Sequence, residues 1–358
     1  MKIHSRHRTG QGLIKLICLV AILQVANPVS GQDTHWSQFN MSPLTLNPAM
    51  TGGLYDLEAY INYRDQWQSV ATPYKTMAGS FDMRFKNIKK KKGFLAAGLN
   101  FYNDKAGDLA MSTTQVNLHF AAHVRLNEYN TLGAGLSGGF VQRSINYSGI
   151  ESGNQFNGMA YDGTLATGEP AAGNSRSYVD AGAGLLWTFN NTSGAVKVTD
   201  NHDLKINLGA SIFHPHEPSY SFYNNMEKLY MKYVVHGEAL ISIPNTNIAF
   251  VPGFLFMRQG PSQEIYAGSM IRYKLKQDSK YTGFQKGSAL SIGAYYRADD
   301  AVAASMLIEY SNYAIGVSYD INTSQLKSAS SAKGGMEITL RFVNPNPFLY
   351  KGSAQSRF

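Results

Sequence analysis

The sequence predicts an all-β protein: a transmembrane antiparallel β-barrel of about 14 strands, preceded by a non-strand segment that plugs or caps it. Three observations carry this. First, segments of strict apolar/polar alternation recur along the whole chain, as in TMAGSFDMRF at 76–85. A membrane barrel needs that period of two, with one face in lipid and the other in the lumen. Second, only 16% of the 358 residues are charged, against about 25% in average globular proteins. Third, the chain carries 22 Tyr, 18 Phe and 34 Gly, a composition that suits β-structure.

The elements follow in order. Lys2, Arg6 and Arg8, the apolar run Leu13–Leu23 and the small residues Val29-Ser30-Gly31 have the layout of a secretory signal peptide over 1–31. The run is too short for a spanning helix, which needs about 20 apolar residues. The single cysteine, Cys18, falls inside it, so the exported chain is expected to hold no disulfide and no cysteine ligand. Four basic residues leave with the signal, and the net charge drops from +8 to +4 (8 − 4). That value is too modest to argue for nucleic acid.

Residues 32–53, QDTHWSQFNMSPLTLNPAMTGG, do not alternate and hold two prolines, which remove ladder donors. Their apolar anchors Trp36, Phe39, Met41, Leu44 and Leu46 call for burial, either in the lumen or across the periplasmic mouth. Alternation then marks strands at 57–67, 76–85, 94–103, 114–125, 131–143, 178–189, 204–214, 232–243, 248–258, 263–273, 288–297, 301–310, 313–320 and 336–342. Most approach the roughly 9–11 residues of a membrane strand. The barrel is therefore expected over 54–342, with a periplasmic tail at 343–358. Loop lengths suggest short turns after even strands, at 127–130, 244–247 and 311–312, and the longest connections after strands 5, 7 and 13. An even strand count places both ends of the barrel on the periplasmic side.

Several inward faces are small, at Gly133, Gly135 and Gly139 and again at Gly182 and Gly184. Glycine within a strand often marks close approach of another backbone, so these define a candidate lumen wall for a plug or client peptide. The inward faces also read as weakly charged, which favours a filled lumen over an open pore. The string Gly133–Gly138 matches G-x-G-x-x-G, but it lies inside a strand and not at a strand-to-helix turn, which excludes a dinucleotide site. His119 and His123, four apart on a strand, stand roughly 13 Å from each other and cannot share a metal unaided. Neither they nor His214 and His216 are read as ligands. No Ser/His/Asp spacing singles out a hydrolase. No catalytic, metal or cofactor residue is assigned, and the chain is not expected to be an enzyme. Lys86 and Lys89–Lys92 form a basic turn that suits a solvated end, an acidic partner or anionic lipid. The long connection 144–177, with Tyr147, Glu151, Phe156, Tyr161 and Asp162, is the candidate partner loop.

Certain residues resemble a known family. Trp36-Ser37-Gln38-Phe39, Pro43, Asn47-Pro48-Ala49-Met50-Thr51-Gly52, Tyr63-Arg64-Asp65-Gln66-Trp67, Pro73-Tyr74-Lys75-Thr76 and Ser80-Phe81-Asp82 follow one another as in the PorP/SprF family of outer-membrane proteins. Met50-Thr51 is a variant of that pattern. Gln142–Asn146 and Gly182–Trp187 fit as well. The resemblance implies an integral outer-membrane component of type IX secretion and gliding in Bacteroidota. It also implies partners: outer-membrane lipid, a secreted adhesin with a C-terminal sorting domain, and periplasmic ring, motor or peptidoglycan-associated lipoprotein components. Trp36, Gln38, Asn47, Pro48, Arg64, Gln66 and Trp67 become the candidate plug or partner residues. The alternative is a passive or gated channel for small solutes or fatty acids.

Overall fold

The computed structural model describes residues 33–66, 72–85, 92–107, 109–146, 153–165, 175–191, 204–222, 227–276, 286–324 and 330–344. The expected signal peptide and nearly all of the expected tail lie outside them. Seven strands form the first half: β1 Leu57–Gln66, β2 Tyr74–Phe85, β3 Gly93–Ala106, β4 Met111–Arg125, β5 Asn130–Ser144, β6 Ser175–Asn190 and β7 Leu204–Phe213. The second half is β8 Lys232–Ser242, β9 Ile248–Gln259, β10 Ser262–Lys276, β11 Ser288–Arg297, β12 Ala301–Tyr310, β13 Tyr313–Asn322 and β14 Lys333–Asn344.

Each strand pairs antiparallel with its sequence neighbour, and β1 closes on β14 from Leu57 opposite Asn344 to Gln66 opposite Gly335. Closure leaves no edge, so all strand N–H and C=O groups can pair within the wall, as lipid demands. The alternation sets the faces. Met77, Phe81 and Phe85 point outward, whereas Thr76, Ala78 and Asp82 are buried inside. On β4, Val116, Leu118, Phe120 and Val124 face out and Gln115, His119, Ala121 and His123 face in. No described helix is long and apolar enough to cross a membrane; this barrel crosses with strands.

Two expectations are corrected. Connection length does not sort the two mouths. Short turns also follow β3, β9 and β11, at 107–110, 260–261 and 298–300, and the β13–β14 connection is only 323–332 because both strands extend further than the alternation reveals. Polar residues at strand ends continue the ladder without continuing the apolar pattern. The inward faces are also not weakly charged: Glu58, Arg64, Asp82, Arg272, Arg297, Glu309, Asp320, Glu337 and Arg341 are all buried.

Candidate functional site

The lumen is occupied by residues 33–53. Short turns build this segment: a 3₁₀ turn at Phe39–Met41, a single helical turn α1 at Pro43–Leu46 and a second 3₁₀ turn at Pro48–Met50. Prolines begin the last two, where a missing N–H costs nothing. The Asn47 side chain caps the third by accepting from Ala49 N at 2.8 Å. Trp36, Phe39, Met41, Leu44 and Leu46 are all buried.

The segment runs lengthwise. Asp33 lies at the mouth where β1 ends, the far mouth. Its amide donates to Gln259 at 3.0 Å, and its carboxylate meets His214 Nε2 at 2.8 Å and Lys232 Nζ at 3.5 Å. His214 Nδ1 faces Asp180 at 2.8 Å. With a carboxylate at each ring nitrogen, both must donate, so His214 is an imidazolium. Burial pulls its pKa down, but Asp33 and Asp180 outweigh that and push it up to about 9. For Asp33, burial pushes upward, but the charges of Lys232 and His214 prevail and hold the carboxyl well below its usual range.

Deeper in, the wall grips the plug by its backbone. Glu337 accepts from Ser37 N at 2.8 Å and Gln38 N at 3.0 Å, and Tyr266 OH donates to Ser37 O at 2.7 Å. Arg64 donates to His35 O and pairs with Asp320 at 3.1 Å, which also binds Arg297 at 2.9 Å and Ser37 Oγ at 2.8 Å. Asn62 donates to Met41 O at 3.0 Å and Ser211 to Leu46 O at 2.5 Å. Phe39 packs edge-on against Tyr266 and Tyr295. Near the other mouth, His123 meets Thr51 O at 2.9 Å, Gly52 N donates to Asp82 at 2.5 Å, and Arg84 donates to Gly52 O and Gly53 O. Gly52 has φ +60°, and a Cβ there would collide with Ala96 and Arg84. The chain then enters β1.

The candidate residues divide by location. Trp36, Gln38, Asn47 and Pro48 belong to the plug, and Arg64 touches it. Gln66 sits beside Arg64 and, with its amide oxygen turned inward, accepts from that guanidinium at 2.5 Å. Trp67 lies outside the described residues. A Cβ on Gly135 would strike the Pro48–Ala49 backbone, and one on Gly184 or Gly209 would strike Asn47. Asn47 Nδ2 reaches Leu185 O at 2.8 Å and His236 at 3.2 Å through that gap. Gly133, Gly139 and Gly182 do not meet the plug; the room they leave is taken by His123, by Asn117, and by Phe213 with Ser137. Tyr147 and Glu151 lie outside the described residues. Phe156 and Tyr161 form an exposed bridge whose tip, Met159, is 95% exposed, and Asp162 caps Thr164 N at 3.0 Å.

Of the charged wall the sequence marked Arg64 but not Asp320, Arg297, Glu309 or Arg341, nor the plug contacts of His214, His236 and Glu337. The partners are far apart in sequence: Arg64 and Asp320 are separated by 256 positions, and Ser37 and Glu337 by 300. The only available signal was polar residues recurring on inward positions. Among the described residues, no group of three or more His, Cys, Asp or Glu is placed to hold a metal ion.

A closed barrel with an apolar belt and a lumen filled by its own N-terminal segment defines an integral outer-membrane β-barrel. Solved structures show a partial likeness to the chain at low identity. The TodX ΔS2S3 mutant monoaromatic hydrocarbon channel matches at 11% identity and TM-score 0.45, covering 83% of this chain and 92% of that one. A Pseudomonas aeruginosa FadL homologue matches at 9% and 0.44, covering 82% and 91%. BamA from Haemophilus ducreyi lacking POTRA domains 1–3 matches at 9% and 0.43, covering 81% and 70%. No curated protein matches the chain. The family model for the type IX secretion system membrane protein PorP/SprF matches residues 29–342, and the chain belongs to that family.

Proposed function

We propose that this outer-membrane component of type IX secretion binds, helps export or anchors a secreted adhesin, or couples to the periplasmic ring complex, and does so without conducting solute or catalysing a reaction. The observation that carries this reading is the plug, whose backbone is bonded to the wall from Asp33 to Gly53. A lumen occupied along its length offers no aqueous path, so partners meet the mouths. With β1 starting at the periplasm, the exposed Phe156–Tyr161 knob is the cell-surface contact. The knob presents apolar side chains on a turn fixed by Asn157, which accepts from Met159 N and Ala160 N at 3.0 Å. Exposed apolar groups on a turn fixed by hydrogen bonds suit protein contact.

The test is a pull-down from detergent-solubilised outer membranes with the tagged full chain. Recovery of a secreted adhesin or of periplasmic ring or lipoprotein components supports the reading, and Met159→Ser with Phe156→Ser should lose an adhesin but not ring proteins. A partner-free barrel that conducts ions would replace it with the channel reading.

A further inference from the structure

Closure removes the sheet's edge inside the lipid zone, but β6 overhangs β7 at the far mouth. β5 accompanies β6 up to Ser144 opposite Ser175, whereas β7 pairs with it only as far as Phe213 opposite Gly182. The cause is local. His214 takes φ +56° and Pro215 has no N–H to offer, so the chain turns off the ladder there. Two bonds trail beyond that point: His214 N donates to Ala181 O at 3.0 Å, and His216 Nε2 donates to Val179 O at 2.8 Å. Backbone groups along a strand alternate between its two neighbours. Ser177 and Ser175 therefore turn the next N–H and C=O groups toward the same open side. Among the described residues, nothing bonds them there.

The overhang stands clear of the apolar belt. Toward the far mouth the outer face of β6 presents Leu185, Ala183, Ala181 and Val179, and then Ser177. The outer face of β5 presents Leu136, Gly138 and Phe140, and then Gln142, which lies opposite Ser177. Both strands turn polar at one level. On the inner face beyond that level, Arg143 and Arg176 lie directly opposite each other. Each is an even number of positions along its strand from a glycine that meets the plug, Gly135 or Gly184, so both share the plug's side of the sheet. Like charges in that relation repel. Arg143 is braced by rings, its guanidinium carbon 4.7 Å from the Tyr220 centroid and 5.5 Å from that of Phe222. Arg176 is exposed. Among the described residues, neither arginine has a carboxylate partner.

We infer that this overhang docks an acidic peptide in extended conformation, which adds a short strand to the free edge of β6 and presents a carboxylate to Arg176, next to Arg143. Two features name the occupant. An unpaired strand edge is matched by another backbone, and two uncompensated arginines are matched by an anion. Outer-leaflet lipid does not supply that anion, because both arginines lie on the lumen side of the sheet and not on the belt. The inference rests on the proposed reading that partners meet the mouths, with β1 starting at the periplasm. It adds the chemistry of the partner at the cell-surface mouth.

The experiment is fluorescence anisotropy of the detergent-purified full chain with a labelled peptide of alternating Glu and Thr, its Gln counterpart, and inorganic phosphate as competitor. The Glu peptide should bind more tightly than the Gln peptide, and added salt should weaken it. Arg176→Gln should lower its affinity about fivefold, the scale of one well-placed exposed ion pair. Ser177→Pro removes an edge donor at a position where an edge strand tolerates proline, and should lower the affinity by a similar factor. Heat-modifiable migration in SDS gels checks that each variant is a closed barrel. Equal binding of the Glu and Gln peptides, full competition by phosphate, or unchanged affinity in either variant would overturn the inference. Peptide binding with no partner recovered from membranes removes only the secretion role; recovered partners with no peptide bound remove only this site.

Discussion

The two halves of the lumen wall hold one plug by different chemistry. On β4–β7 close approach adds to a few hydrogen bonds: Gly135 and Gly184 lack the Cβ that would strike Pro48–Ala49 and Asn47, so two backbones lie against each other, while Ser211 and His123 reach plug carbonyls. On β10–β14 and β1 the contact is polar: Glu337, Tyr266, Arg64 and Asp320 reach the plug with long side chains, and Arg272, Arg341 and Glu309 pair behind them at 2.6–2.8 Å. Peptide groups of the plug are bonded on both sides, by Ser211 and His123 on β4–β7 and by Glu337 and Tyr266 across the lumen; the glycine side adds close backbone contact and the other side adds charged side chains. Arg64 and Arg297 pair with Asp320, and Arg272 and Arg341 with Glu309, and such a buried network destabilises strongly when one member is removed.

Substitutions can break this contrast, and the largest effect belongs to the polar half. Asp320→Ala removes the shared partner of Arg64, Arg297 and Ser37. It should cost about 3–5 kcal/mol, as for other broken buried pairs, read as a lower temperature of heat-modifiable migration and as new protease cleavage within 33–53. In the shape half, Gly184→Leu drives a side chain into Asn47 and should cost about 1–3 kcal/mol by overpacking. Its signature is different: the plug is released while the wall's ion pairs survive, so cleavage at 33–53 should rise more than barrel melting falls. Equal responses from the two variants would erase the distinction.

The far-mouth contacts respond to pH. His214 has its pKa raised from 6.5 to about 9, so the stability it lends is complete below 6.5 and is lost as pH rises through about 9. Asp33 is lowered from 3.8, so its share is present above 3.8 and disappears only in stronger acid. Protease access to the plug's first residues should therefore be minimal between about pH 4 and 6.5, rise from there and level off above about 9, and Asp33→Asn should flatten that profile. The smallest effect is expected at Gly138, where a Cβ meets nothing within 4 Å. Gly138→Ala should be neutral or stabilising by about 0.4–1 kcal/mol, in contrast to its neighbour Gly135.

The same contrast explains what the sequence could disclose. Strand positions were legible because lipid imposes a period of two, as at Met77, Phe81 and Phe85. The plug was legible because Trp36, Phe39 and Leu44 in a proline-broken stretch have nowhere else to be buried. Glycines at 135 and 184 announced close approach, but nothing local distinguishes them from Gly133, Gly139 and Gly182, whose space is taken by the wall's own side chains. The charged half was not legible. Arg64 was marked by the family resemblance, but its partners Asp320 and Glu337 look like ordinary lumen polar residues until closure of β1 on β14 brings them together, and the His214 bridge depends on a plug path that no pattern fixes.

Residues 33–53 fill the lumen, and this closes the barrel to solute. Planar-bilayer recording of the full chain and of a variant lacking 33–53 tests it most directly. The full-length barrel should be silent and should conduct steadily once the segment is removed. A full-length protein that conducts, unchanged by the deletion, would contradict it.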